Sequence, residues 1–341
     1  MKTLLTSLFL TAAGVTAFAQ APVTLQHAGN TSVFYTSSGF QDAYNAAVDG
    51  DTIHLPGGHF SAITVDKQVT IIGTGHFPDS TLVTGRTQIN GTMYFGTNAD
   101  NAHLEGLYIT GHLHANATNI TADYFTVHRC LIDGDFSLSG SRTTPTQYLL
   151  ISECIIRGNI DLSNTVQAVI RNNIFQNRIH YAYQSLLENN NFINTPYYSS
   201  GWHNSLYDCD YNLVRNNIFA HQVQINFIYC QNSVFENNVF TTGSYDFGTN
   251  SYTGNYFSAP AATIFINWTS GSFLHSDNFH LTSPGTYPGT DATECGIYGG
   301  AAPWKEGGVP VNPHFIQASI DSQTNSSGEV NVTIKAGAQQ R

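Results

Sequence analysis

A short phrase returns four times in this chain: Ile170-Arg171-Asn172-Asn173-Ile174-Phe175, Leu187-Glu188-Asn189-Asn190-Asn191-Phe192, Val214-Arg215-Asn216-Asn217-Ile218-Phe219 and Phe235-Glu236-Asn237-Asn238-Val239-Phe240. The copies step by 17, 27 and 21 residues (171 to 188, 188 to 215, 215 to 236), a variable period suited to a solenoid whose turns accept insertions. Each phrase is short and rich in β-branched and aromatic residues, so it predicts brief strands around an asparagine corner rather than helix.

Weaker copies extend the series upstream once the register is set on the second asparagine. Leu107, Cys130, Cys154, Asn173, Asn190, Asn217 and Asn238 then share one position, with Ile109, Ile132, Ile156, Phe175, Phe192, Phe219 and Phe240 two residues on. Residues two apart on a strand share a face, and stacked strands lie roughly 4.8 Å apart. The columns therefore predict an inward aliphatic-to-aromatic stack beside an asparagine ladder, a structural use of these amides because buried polar groups must be paired.

Two further segments carry a family resemblance: 40–58, reading Phe40-Gln41-Asp42-Ala43-Tyr44 through Val48-Asp49-Gly50-Asp51 to Pro56-Gly57-Gly58, and Val69-Thr70-Ile71-Ile72-Gly73. With the repeats, and with Ser283-Pro284-Gly285, Gly289-Thr290-Asp291 and Gly296-Ile297-Tyr298-Gly299-Gly300 near the other end, the chain resembles the pectin-lyase-like superfamily. The resemblance implies an all-β, single-stranded right-handed parallel β-helix with an N-terminal capping helix. Phe40, Tyr44, Ala47 and Val48 are spaced to give that helix an apolar stripe over the open end of the core. The enzyme signatures of the polygalacturonases and of common pectate lyases are absent, and one fold hosts many functions.

Met1-Lys2, the apolar run from Leu4 to Phe18 and Ala17-Phe18-Ala19 read as a secretory signal peptide over 1–19. The expected product is secreted, periplasmic or cell-surface, without membrane insertion, and a monomer. The β-helix is expected over 20–318, with 319–341 a tail or strand whose core, Val332-Thr333-Ile334, alternates. Only 10% of residues are charged and the formal net charge is −11, which argues against nucleic acid as a partner and leaves a neutral, hydrogen-bonding surface of the kind sugars use. Cys130 stacks on Cys154, and Cys209 and Cys230 are spaced to stack likewise; parallel stacking aims the Cβ atoms alike, which favours thiol pairs over disulfides, with Cys295 unpaired in either case.

Two exterior stripes bear on function. One column reads Glu105, His128, Ser152, Arg171, Glu188, Arg215, Glu236, with Arg129 beside Glu153, and is expected to be an exposed ion-pair ladder worth about 0.2 to 1 kcal/mol per pair. The other follows the turn residues Gly111, Gly134, Gly158 and Asn177, where Leu113, Phe136, Ile160 and Ile179 should point inward. Their neighbours should then point out as two columns, His112, Asp135, Asn159, Arg178 and His114, Ser137, Asp161, His180. The resemblance implies that this strand lines a substrate groove.

There Asp161 and His180 could form an acid/base pair, the carboxylate raising the imidazole pKa, and Arg178 could hold a sugar carboxylate. His112, His114 and Asp135 could hold a divalent metal such as calcium, no other cofactor being indicated. Asn159 could bind substrate, and Tyr197, Tyr198 and Trp202, in the longest insertion, could stack on pyranose rings. Two functions compete: an exported β-helix that binds polysaccharide and could cleave it, as a lyase or glycoside hydrolase, and a non-catalytic surface or matrix rod.

Overall fold

The computed structural model describes residues 22–338 except 194–196, 200–201, 204, 221–224, 228, 242, 244 and 270, with only the backbone described at 197–199, 202–203 and 225–226. The segment 1–19, expected from the sequence to be a leader, therefore lies outside the described residues. No helix among them is long and apolar enough to cross a membrane.

Short strands stack turn upon turn into three long sheets of twelve, nine and seven strands, parallel throughout except where an N-terminal hairpin joins the first. The chain is a parallel β-helix. In the nine-stranded sheet the expected column holds in full: Ile109, Ile132, Ile156, Phe175, Phe192, Phe219 and Phe240 are successive partners. Phe192, Phe219 and Phe240 stack at 4.7 and 4.9 Å with ring planes within 6° of parallel.

The ladder beside them is continuous. Asn173 Nδ2 donates to Asn190 Oδ1 at 3.0 Å, Asn190 to Asn217 at 2.9 Å and Asn217 to Asn238 at 3.0 Å, and Asn238 extends the series to Asn255. Each Oδ1 also accepts the backbone N–H of the rung before, and Nδ2 reaches a backbone carbonyl of the preceding rung as well, so buried amides close this corner in each rung from Asn173 to Asn217. A second ladder, which the repeat did not reveal, fills another corner: the N–H of Ser185 donates to Asn212, that of Asn212 to Ser233 and that of Ser233 to Asn250.

The first asparagine of each pair has a different task. Arg129, Glu153, Asn172, Asn189, Asn216 and Asn237 all take φ between 49° and 57°, the left-handed region that asparagine tolerates better than most residues. This sharp corner aims their side chains outward, where they meet the segment 288–310 running back along the solenoid. Asn237 Nδ2 donates to the carbonyl of Pro288, Asn216 exchanges two hydrogen bonds with Thr290, Asn189 reaches Gly296, and Asn172 reaches Ile297 and Gly299. Further along, Glu153 accepts the N–H of Lys305 at 3.0 Å and Arg129 donates to the carbonyl of Val309 at 3.0 Å.

That segment covers a second core. The outward positions of the nine-stranded sheet, Leu131, Ile155, Ile174, Ile218 and Val239, are buried against Phe265, Phe279, Cys295, Ile297 and Trp304. The ion-pair ladder is corrected accordingly. Arg215 and Glu188 do pair at the surface, at 2.9 Å, but Arg129 is only 2% exposed and its pair with Glu153 is roofed by the returning chain.

The capping helix Gly39–Ala46 buries Phe40, Ala43 and Tyr44, with Ala47 just beyond it; Val48 is exposed because the helix ends before it, so Ala43 completes the stripe instead. All five cysteines are free and buried. Residues His314–Ile320 and Val332–Gly337 pair as an antiparallel hairpin that stands almost wholly in solvent.

Candidate functional site

The seven-stranded sheet carries the predicted exterior columns. Its rungs approach closely at the preceding turn, where a Cβ on Gly111, Gly134 or Gly158 would lie 2.4 to 2.7 Å from backbone of the neighbouring rung, so only glycine fits. Beyond the turn Leu113, Phe136, Ile160, Ile179 and Leu206 stack inward, and His114, Ser137, Asp161, His180 and Tyr207 form the adjoining outward column in one register. Alternation places every second side chain on the outer face, as the sequence predicted.

The outer residues are tied to each other through the backbone. The N–H of Asp135 donates to His112 Nδ1 at 2.9 Å, and that of Asn159 donates to Asp135 Oδ1 at 2.7 Å. The His112 and His114 rings lie 4.7 Å apart, and His112, His114 and Asp135 offer ligand atoms within 4.8 Å of one another. His114 Nε2 is buried without a hydrogen-bond partner, a donor atom a metal could satisfy. Two imidazoles and one carboxylate suit a transition metal; calcium, the expected ion, takes oxygen ligands.

His114, Asp135, Ser137, Asn159, Asp161, His180 and Tyr181 line a groove of about 250 Å³. Asp161 and His180 do sit opposite each other on neighbouring rungs. Their expected electrostatics are reversed, however: burial pushes the His180 imidazole below its ordinary pKa, Arg178 adds to the push, and Asp161 only opposes it. Asp161 Oδ1 instead accepts the N–H of Ser163 at 2.9 Å. Arg178 does not line the groove and is only 9% exposed, because alternation gives a side chain's direction and not how far its neighbours cover it.

The side chains of Tyr197, Tyr198 and Trp202 lie outside the described residues. Their backbone forms strands Tyr197–Ser199 and Trp202–His203, and the latter pairs in parallel with Ile225–Asn226, which pairs with Tyr245–Asp246, so the insertion starts a small sheet of its own. A different aromatic row adjoins the groove. Tyr207 lies 5.6 Å from His180, 6.3 Å from Tyr181 and 5.3 Å from Tyr229, measured between ring centroids. Carrying the turn-and-strand grammar across the 27-residue step, from 188 to 215, would have brought Tyr207 beneath His180 in the sequence itself.

No family model and no curated protein matches the chain. Among solved structures, a PL6-family alginate lyase aligns at a TM-score of 0.31 and 11% identity, over 84% of this chain and 59% of that one. The chain thus spans under two-thirds of that protein's length. The architecture rests on the strand pairing of the chain itself.

Proposed function

We propose that the protein, exported under its leader, binds an extended polysaccharide along the groove of the seven-stranded sheet and cleaves uronate-containing chains by β-elimination. The observation that supports polysaccharide binding is the groove's composition: polar side chains from successive rungs, continued by the Tyr181–Tyr207–Tyr229 row on which sugar rings can lie. A stack of equivalent strands offers a linear polymer repeated contacts along the solenoid.

The chemistry follows from what elimination requires. A proton leaves the carbon next to the uronate carboxylate, its electron pair forms the new double bond, and the bond to the leaving glycosidic oxygen breaks. His180, kept neutral by burial and by Arg178, takes the proton, and the Tyr181 hydroxyl supplies one to the leaving oxygen. A divalent cation on His112, His114 and Asp135 would hold the carboxylate and withdraw charge from it.

Uronate and neutral glycans offered to the full chain test this, with binding measured directly and cleavage read from the ultraviolet absorbance of the unsaturated product. His180→Gln should lower turnover by about 100-fold or more with binding and melting temperature retained. Because His180 protonates only below the ordinary histidine value of about 6.5, the acid limb of the pH profile should fall below that value too. Turnover unchanged in His180→Gln, or no glycan bound by the wild type, would overturn the reading.

A further inference from the structure

The twelve-stranded sheet bears a second cluster, independent of the groove. His103 and Glu105 lie two residues apart on one strand and so share its outer face, and His128 is the direct partner of Glu105 on the next rung. His103 Nε2 lies 3.2 Å from Glu105 Oε2, and His128 Nδ1 lies 3.6 Å from Glu105 Oε1. All three offer ligand atoms within 4.8 Å of one another. The Glu105 side chain is 7% exposed, and its Oε1 is buried with no hydrogen bond.

We propose that His103, Glu105 and His128 form a binding site for a zinc-like divalent transition metal. Two imidazoles and a carboxylate are a donor set that zinc takes with one coordination position left open. The decisive feature is the shell behind the ligands. His128 Nε2 lies 3.0 Å from Glu153 Oε1, so a proton on that nitrogen is held by a carboxylate and the Nδ1 lone pair is turned toward Glu105. A carboxylate behind a histidine in this way fixes the ring and raises its basicity at metal sites.

Glu153 is itself anchored, by Arg129 Nε at 3.0 Å and by the N–H of Lys305 at 3.0 Å, so the orienting group cannot swing away. The cluster forms one wall of a cavity of about 620 Å³ between the sheet and residues 301–312, with room for a water or a small anion in the open position. An ion-pair ladder would be served as well by exposed charges. It leaves Glu105 Oε1 buried without a hydrogen bond, its only neighbours in charge among the described residues being His128 Nδ1 at 3.6 Å and Arg129 Nη1 at a long 3.9 Å.

The test titrates zinc alone into the chelator-stripped full chain against a chromophoric chelator, with cobalt as a spectroscopic substitute. One equivalent should be lost in His103→Ala, whose side chain is partly exposed, and kept in His114→Ala, which alters only the groove. Glu153→Gln, which keeps all three ligands, should weaken that equivalent by about 10- to 100-fold. With the groove cluster disabled by His114→Ala, cobalt should still give the intense visible bands of a tetrahedral site, and adding His103→Ala should abolish them. No metal bound by the wild type, or binding that both His103→Ala and His128→Gln leave intact, would overturn the proposal.

Discussion

Each ladder asparagine answers for several backbone groups at once. Asn190 donates to Asn217 Oδ1 and to the carbonyl of Ile170, while its own Oδ1 accepts from both the backbone N–H and the Nδ2 of Asn173. Leucine there would strand these partners in the core, so Asn190→Leu is expected to destabilise the fold by about 1 to 3 kcal/mol, read as a lower melting temperature. An unchanged melt would contradict the ladder. The role of this second asparagine was legible in the sequence because its partners are copies of itself on neighbouring rungs. That of the first was not: Asn172, Asn189 and Asn216 bond to residues 290–299, which follow no repeat.

Among the elements, the returning segment 288–310 is held by the row of left-handed corners more than by pairing of its own. Asn216 supplies both a sharp corner, at φ 57°, and two hydrogen bonds to Thr290. Asn216→Gly keeps the corner and removes the bonds, so amide exchange should quicken in 288–300 while the rung amides stay protected. Asn216→Ala also forces a Cβ residue into the left-handed region without the local hydrogen bonding that helps asparagine there, at a further cost of about 1 kcal/mol. Equal exchange in Asn216→Gly and wild type would show that the apolar contacts of Ile297 and Trp304 hold the segment unaided. In the groove, strand register and side-chain direction were readable from alternation, whereas the depressed pKa of His180 and the burial of Arg178 were not, since both depend on how neighbouring rungs and turns cover the sheet.

Across the whole molecule two cores share the nine-stranded sheet, one inside the solenoid and one between its outer face and residues 259–304. Ending the chain after residue 313 removes only the solvent-exposed hairpin and should leave the melting temperature within about 2 °C, as for other surface changes. Ending it after residue 287 removes Cys295, Ile297 and Trp304 and uncovers Leu131, Ile155 and Ile174, so the product should bind a hydrophobic dye and aggregate. A soluble, dye-silent product would show that the outer core is dispensable.

The sequence by itself determined the solenoid, its register, the inward stacks and which side chains alternate onto the outer face of the seven-stranded sheet. Those features rest on contacts between adjacent rungs, and every rung writes the same contact again. Only the tertiary structure decided which outward residues stay outside. The cover of the second core, the roof over Arg129 and Glu153 and the far wall of the cavity beside His103, Glu105 and His128 all come from a non-repeating segment that returns from more than a hundred residues away. Period and alternation are blind to such a contact, because its two sides share no pattern.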